Sequence, residues 1–364
     1  MLDSLRMHFA DLPDPRMVNK CHHRLLDIIA IAVAATVAGA DDWAAIETFV
    51  KTKAKWLQEW LAPPEGILPS IDTIKRVFRR LNAEAFEQHF IAWTQATFQR
   101  TRGQVIAIDG KTVRGVDANL HLVSAWATVN GISLGQYKVD DKSNEITAIP
   151  ELLSLLTLED AIVTIDAMGC QKAIADQIVE QKADYVLAVK KNQGKLYQLV
   201  EARFALTDDE RFVNHPQPDY TVTEERRNGW VERRECWVLA DDRAMKIGWR
   251  NCQTLVRIRS HREKDGEIQE ETRYFISTLP PQPALLLGCV RAHWAIENSF
   301  HWVLDAVFKE DDNRTQERTT ARNLASLRRI ALNLLKRRKG KTSLRQMRYQ
   351  AALNEDFLLD VLRP

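Results

Sequence analysis

The sequence predicts an α/β protein: a mixed sheet with flanking helices, a helical N-terminal domain before it and a β-rich insertion within it. Three observations carry this. Up to about Arg100 the apolar residues recur at helical spacing, and from Gln104 the period changes. V-I-A-I (Val105–Ile108) is an apolar run leading into Asp109, and A-I-V-T-I (Ala161–Ile165) is a largely apolar run ending near Asp166, as in central strands buried on both faces. Lastly, Val290–Asp312 has no Gly or Pro and good apolar spacing, which reads as one long helix.

In chain order, Leu25–Gly39 is the most apolar stretch and reads as a buried helix ended by Gly39. It is too short, and carries Asp27, for a membrane span. Asp41–Trp60 reads as one further helix. After a Pro/Gly loop, Ser70 or Asp72 can cap a helix containing Lys75, Arg76, Arg79 and Arg80. Its basic face is either a DNA-reading element or an ordinary solvated surface. Beyond the first strand, His121–Val129 and Ile132–Val139 flank Asn130-Gly131, a strong hairpin signal. Pro150–Leu156 reads as a helix with Pro150 in its first turn; a strand ending near Asp166, the helix Lys172–Gln181 and the strand Tyr185–Val189 follow. Tyr220–Glu224, Glu235–Leu239, Thr254–Ser260 and Thr272–Ser277 read as strands of a β-rich insertion with a small core of its own, closed by Pro280-Pro281-Gln282-Pro283. The boundaries expected are 1–100, 101–205, 206–283, 284–340 and a tail 341–364.

With 45% hydrophobic and 27% charged residues, the 364-residue chain has the make-up of a globular protein with a sizeable core. Its net charge of +2 hides an asymmetry: Arg314 to Arg348 holds a dozen Lys or Arg against one acid, Glu317. Such a block suggests a polyanion partner, with a solvated helix face as the alternative. The five scattered cysteines include no C-x-x-C pair, which argues for reduced thiols in the cytoplasm and against a zinc ribbon.

His293, Glu297, His301 and Asp305 recur every four residues, each step overshooting a helical turn by about 40°. They form a slowly winding polar stripe between apolar faces, where an acid calls for a partner. Trp294 and Trp302 read as core. Asp109 and Asp166, each near the C-terminal end of a central strand, lie where open α/β folds build sites. Three carboxylates gathered in a dry site repel unless a cation joins them. Hard carboxylate oxygens around an open site suit Mg²⁺ or Mn²⁺, and two such ions serve phosphodiester chemistry. Lys111 and Arg114, beside Asp109, are candidate phosphate contacts, with exposed turn cations as the alternative.

The stretches A-I-D-G-K-T-V-R-G (Ala107–Gly115), T-I-D-A-M-G-C-Q (Thr164–Gln171) and R-A-H-W-A-I-E-N-S-F-H-W-V-L-D (Arg291–Asp305) closely resemble the H-repeat-associated transposases, of the DDE class of bacterial insertion-sequence enzymes. The resemblance spans nearly the whole chain, A-G-A-D-D-W-A-A-I-E-T-F (Ala38–Phe49) included. It implies a ribonuclease H-like catalytic fold, with the β-rich stretch inserted before the Glu-bearing helix. It also implies metal-dependent cutting at transposon ends and attack of the freed 3′-hydroxyl on target DNA. Asp109, Asp166 and Glu297 take the catalytic and metal-ligand positions, with Mg²⁺ (or Mn²⁺) as cofactor. Lys111, Arg114, Arg234, His293, His301, Arg314, Arg318 and Arg322 are the DNA-contact candidates. The implied partners are DNA, as transposon ends and target, and a second copy in a homodimer; no membrane is involved.

The chain departs from broader relatives, whose signature is Tyr-x-x-Arg-x-x-x-Glu-x6-Lys. The flanking positions here are Val290, His293 and Leu304, leaving His293 and His301 as candidate substitutes. Where relatives show His-Gly-Arg, this chain has Asn228-Gly229-Trp230, although Glu232 and Arg234 still fit. Two alternatives stay open: a DNA-binding protein that has lost transposition, and a metal-dependent nuclease without strand transfer.

Overall fold

The computed structural model describes residues 2–98, 102–114, 120–140, 143–208, 217–227, 229–338 and 340–363; Gly115 and Asn228 of the motifs lie outside these. Nine strands form one mixed sheet: β1 (Val105–Val113), β2 (Leu120–Ala127), β3 (Ile132–Lys138), β4 (Ile162–Ile165), β5 (Asp184–Val189), β6 (Asp219–Arg227), β7 (Trp230–Ala240), β8 (Thr254–Lys264) and β9 (Glu267–Ser277). Their order is β3-β2-β1-β4-β5-β9-β8-β7-β6. β1, β4 and β5 run parallel, and β2–β3 and β5–β9 pair antiparallel. The first five strands have the ribonuclease H-like arrangement that the sequence leads one to expect.

One compact unit comprises Thr101–Asp109 and Lys142–Ile296. It holds α7 (Glu145–Ser154), α8 (Lys172–Glu180), α9 (Gly194–Asp208), the short α10 (Arg243–Lys246) and α11 (Pro283–Ile296). Among the described residues, the buried strand residues of the insertion share a core with the rest of the unit. Cys236, Val238, Val256, Ile258 and Phe275 of its strands pack in one cluster with Ile162, Val186 and the α11 residues Leu286, Leu287, Cys289 and Val290. Antiparallel β9 joins the edge of β5, so the insertion extends the sheet rather than standing apart from it. α7 also begins earlier than expected. Asn144 accepts a hydrogen bond from Ile146 N, and Pro150 lies inside the helix, where its missing N–H removes one rung.

The other unit comprises Met1–Arg100, Gly110–Asp141 and Glu297–Pro364. Its helices are α1 (Leu2–Phe9), α2 (Leu25–Val37), α3 (Trp43–Thr52), α4 (Ala54–Leu61), α5 (Ile71–Arg80), α6 (Ala83–Thr97), α12 (Trp302–Ala306), α13 (Arg318–Arg337), α14 (Leu344–Leu353) and α15 (Glu355–Leu362). α2 is buried almost throughout, its one acid Asp27 paired with Arg24 at 2.7 Å. No helix of the described residues is long and apolar enough to cross a membrane. The single helix expected over Asp41–Trp60 is two, because Lys53 leaves the helical region (φ −101°, ψ 20°) between α3 and α4. The β2–β3 connection is four residues rather than two, closed by Gly131 N donating to Ala127 O with Gly131 at φ +65°. Residues of the expected tail form α14 and α15, which pack on α2 and α13.

The helix expected over Val290–Asp312 differs most. α11 starts at Pro283 and stops at Ile296, Glu297–His301 form one π-helical turn, and α12 ends at Ala306. A π turn inserts an extra residue into the helical ladder, so the four-residue stripe does not persist through it. Neither tryptophan is core: Trp302 is 61% exposed and Trp294 37%, the latter under the Arg273 guanidinium at 4.3 Å.

Candidate active site

β1 and β4 set the first part of the site. Their parallel register matches Ile108 with Ile165, so Asp109 and Asp166 each follow directly on a paired position of adjacent strands. Both are half-buried. β4 ends there, whereas β1 continues to Val113; Asp109 therefore lies within its strand, not at the end. The Asp166 Oδ1 accepts hydrogen bonds from Met168 N (3.0 Å) and Gly169 N (3.2 Å), which fix the carboxylate at the β4 terminus. Burial pushes the Asp166 pKa up, those N–H groups pull it down, Glu145 at the start of α7 raises it, and Lys190 lowers it.

Gly169 is a residue whose role the sequence alone did not give. A Cβ there would meet Ile165 Cγ2 at 2.3 Å and Ile149 Cδ1 at 2.8 Å. Gly169→Ala is thus expected to destabilise the chain by about 1–3 kcal/mol through overpacking. It should also displace the two N–H groups that hold Asp166. Denaturant titration and DNA-cutting assays check both, and an unchanged midpoint would refute the packing argument.

His293 lies on α11 and its Nδ1 is 3.0 Å from Thr164 Oγ1 on β4, two residues before Asp166. That bond fixes α11 against β4 one turn before Glu297. Glu297 follows Ile296 directly, is exposed, and opens the π turn. Among the described residues no three His, Cys, Asp or Glu side chains are gathered as a metal cluster. Asp109 and Asp166 nevertheless offer the hard, anionic oxygen donors that Mg²⁺ or Mn²⁺ takes.

Burial holds His293 at a pKa of about 4. His301 is pushed down to about 3 by burial, with Arg329 and Lys111 adding repulsion and Glu310 opposing it. Each imidazole is therefore neutral at neutral pH and contributes no cation to a phosphate. The folded state binds fewer protons than the unfolded state below the ordinary value of 6.5, so stability should fall as pH drops from about 6.5 towards about 4. Melting temperatures across that window check this, and His293→Gln should flatten the slope.

The other expected DNA contacts differ in their burial. The buried Lys111 ammonium meets Asp305 (2.8 Å), Asp311 (2.9 Å) and Glu310 (3.5 Å). A phosphate would have to compete with three carboxylates for it. Arg322 forks onto the buried Glu87, and Arg234 pairs with Glu232 at 2.5 Å and Glu225 at 3.5 Å. Within the basic C-terminal block, Arg328, Arg329 and Arg348 are also buried, Arg329 against Glu310 and Arg348 against Asp41. Much of that block is therefore internal scaffolding, because a long helix packed on all sides can carry arginines inward only when acids meet them. Arg114 and Arg314 are exposed and Arg318 is half-buried.

Comparison with known proteins agrees with this arrangement. The family model described as "Transposase DDE domain" matches residues 100–334, and one described as "DDE_Tnp_1-associated" matches residues 6–94. The chain is 39% identical to "Putative transposase YncI" of Escherichia coli O157:H7, over 99% of this chain and 95% of that protein. It is 36% identical to "H repeat-associated putative transposase YhhI" of Escherichia coli K12, over 99% and 98% respectively.

Proposed function

The chain belongs to the transposase DDE domain family, and from that premise we propose that it cuts DNA at the ends of a mobile element and joins them to target DNA. In this reading Asp109, Asp166 and Glu297 are the catalytic residues and the ligands of divalent metal. The observation that carries it is that Asp109 and Asp166 each follow directly on a paired position of adjacent parallel strands. The His293–Thr164 bond adds support by fixing, against one of those strands, the helix that leads into Glu297.

Bound Mg²⁺ or Mn²⁺ supplies an activated oxygen nucleophile and neutralises charge on the departing oxygen. The three carboxylates would serve as acceptor-only ligands of such an ion. In the first step the oxygen of water forms a P–O bond while the bond to the DNA 3′-oxygen breaks, and that oxygen leaves as a hydroxyl. In the second, the freed 3′-hydroxyl oxygen attacks a target phosphodiester, one P–O bond again replacing another. Arg114 and Arg314 are the predicted cations best placed by exposure to hold backbone phosphate. Because a mobile element has two ends, the reading includes a homodimer.

A silent descendant is the second reading. The positions where broader relatives carry Arg and Lys hold His293, whose pKa is about 4, and the fully buried Leu304. One experiment separates the two: purified chain is mixed with duplex bearing the repeats that flank its own gene, in Mg²⁺, Mn²⁺ or chelator. Metal-dependent nicks at the repeat ends with joined products support transposition. Binding without any cut supports the silent reading, and cutting that survives chelation overturns the metal assignment.

A further inference from the structure

We propose that the exposed face of α5 is where this chain grips duplex DNA by its phosphate backbone, through Lys75, Arg76, Arg79 and Arg80. The inference deepens the function proposed above by assigning a DNA-holding surface away from the three acids in sequence. All four cations are exposed, while Ile74, Val77 and Phe78 bury the opposite face of the same helix. They line one shallow groove together with Asp72.

What sets these cations apart is that they are uncommitted. Arg322, Arg329, Arg348 and Lys111 all spend their charge on carboxylates. Among the described residues, no carboxylate lies within ion-pair distance of the four on α5. Arg76 makes only a long bond to Thr73 Oγ1 (3.4 Å), and Lys75 feels Glu47 only as a weak, longer-range charge. Lys75 and Arg79, and Arg76 and Arg80, are like-charged pairs four residues apart, each costing the helix a few tenths of a kcal/mol. A polyanion lying along the face reverses that cost. The two rows rise about 6 Å per pair, and three guanidinium forks suit bidentate contact with phosphate oxygens.

The face is also held rigidly. Ser70 caps the start of α5, accepting from Thr73 N. At its end the fully buried Asn323 of α13 donates to Phe78 O (2.8 Å) and Leu81 O (3.0 Å). Asn82 then caps α6, so only two residues join α5 to α6. The occupant is DNA rather than an anionic membrane, because a helix lying on lipid needs an apolar face to insert, and that of α5 is spent inside the fold.

The test uses the full-length protein and a short random-sequence duplex, followed by fluorescence anisotropy over a salt series. Each lost phosphate contact lowers the slope of log affinity against log salt by about 0.9. Lys75→Ala/Arg76→Ala/Arg79→Ala/Arg80→Ala should lower it by about 3 to 4 and weaken binding alike on unrelated sequences. The triple variant Arg76→Lys/Arg79→Lys/Arg80→Lys, which keeps all four charges, should keep most of the slope, and melting temperatures should show both variants folded. A slope unchanged in the alanine variant overturns the proposal. So does stronger capture by phosphatidylserine vesicles than by duplex through the same residues. Asp109→Asn separates the two readings: it should bind with the wild-type slope yet not cut. If it cuts, the catalytic reading fails while this one stands.

Discussion

Glu310→Ala is expected to destabilise the chain by about 3–5 kcal/mol. Glu310 and Arg329 are both fully buried, with Nη1 of the arginine 2.9 Å from Oε1 of the glutamate. The same Nη1 also donates to Ala325 O, and the guanidinium sits over Phe300, which stacks on Trp126 at 4.6 Å. Burial by itself would raise the Glu310 pKa; Arg329, followed by Lys111, outweighs it and holds the carboxyl below its ordinary value. Its stabilising charge is therefore present above the unfolded value near 4.5 and lost as pH falls through the lower folded one. Truncation would strand a cation among aromatic rings, and the cost of breaking a buried pair from one side exceeds the net worth of the pair. The double substitution Glu310→Leu/Arg329→Met should therefore lose much less than the sum of the single changes. Urea unfolding of all four proteins gives the coupling directly. A loss under about 0.5 kcal/mol for Glu310→Ala, the size of an ordinary surface change, would show that the pair is not structural.

That network explains why the basic C-terminal block misleads when read as a string. Charge counting along Arg314–Arg348 sees cations, but their partners are distant in sequence: Glu87 for Arg322, Asp41 for Arg348, Glu310 for Arg329. Only tertiary packing pairs them. On α5 the opposite holds. The period of Ile74, Val77 and Phe78 alone places the cations outward, so the exposed face was legible in the sequence. The central strands were legible for a similar reason: Val105–Ile108 is apolar at every position and Ile162–Ile165 at all but Thr164, which few structures other than a doubly covered sheet accept. The π turn at Glu297 was not legible, since it depends on how the helix meets its neighbours rather than on propensity. Nor was the role of Gly169, which depends on Ile149 and Ile165 crowding its Cα. Glu145 and Lys190 act on Asp166 from other elements, and nothing in local spacing points to them.

Alanine at Asp109, Asp166 or Glu297 is expected to reduce cutting of repeat-end DNA by more than about 10²-fold, since loss of a supporting outer group alone typically costs 10–100-fold. The alanine variants would leave open whether the fold or the metal site had failed, and Asp166→Asn separates these. Its Oδ1 can still accept from Met168 N and Gly169 N, so the loop geometry is retained. It also removes a negative charge that burial and Glu145 both disfavour. The variant should therefore be as stable as the wild type, or more so, while losing the activity, the trade expected where a site keeps charge at the expense of stability. Glu297 is exposed on the π turn, so Glu297→Gln should leave the melting temperature unchanged and remove cutting to the same extent. DNA binding should survive in all of these, because the phosphate grip proposed for α5 uses none of the three acids. If Asp166→Asn cuts at the wild-type rate in Mg²⁺, its charge is not needed and Asp166 is a loop cap rather than a ligand. If Asp109→Ala and Glu297→Ala also cut normally, the chemistry lies elsewhere in the chain, whatever the pairing of the two strands suggests.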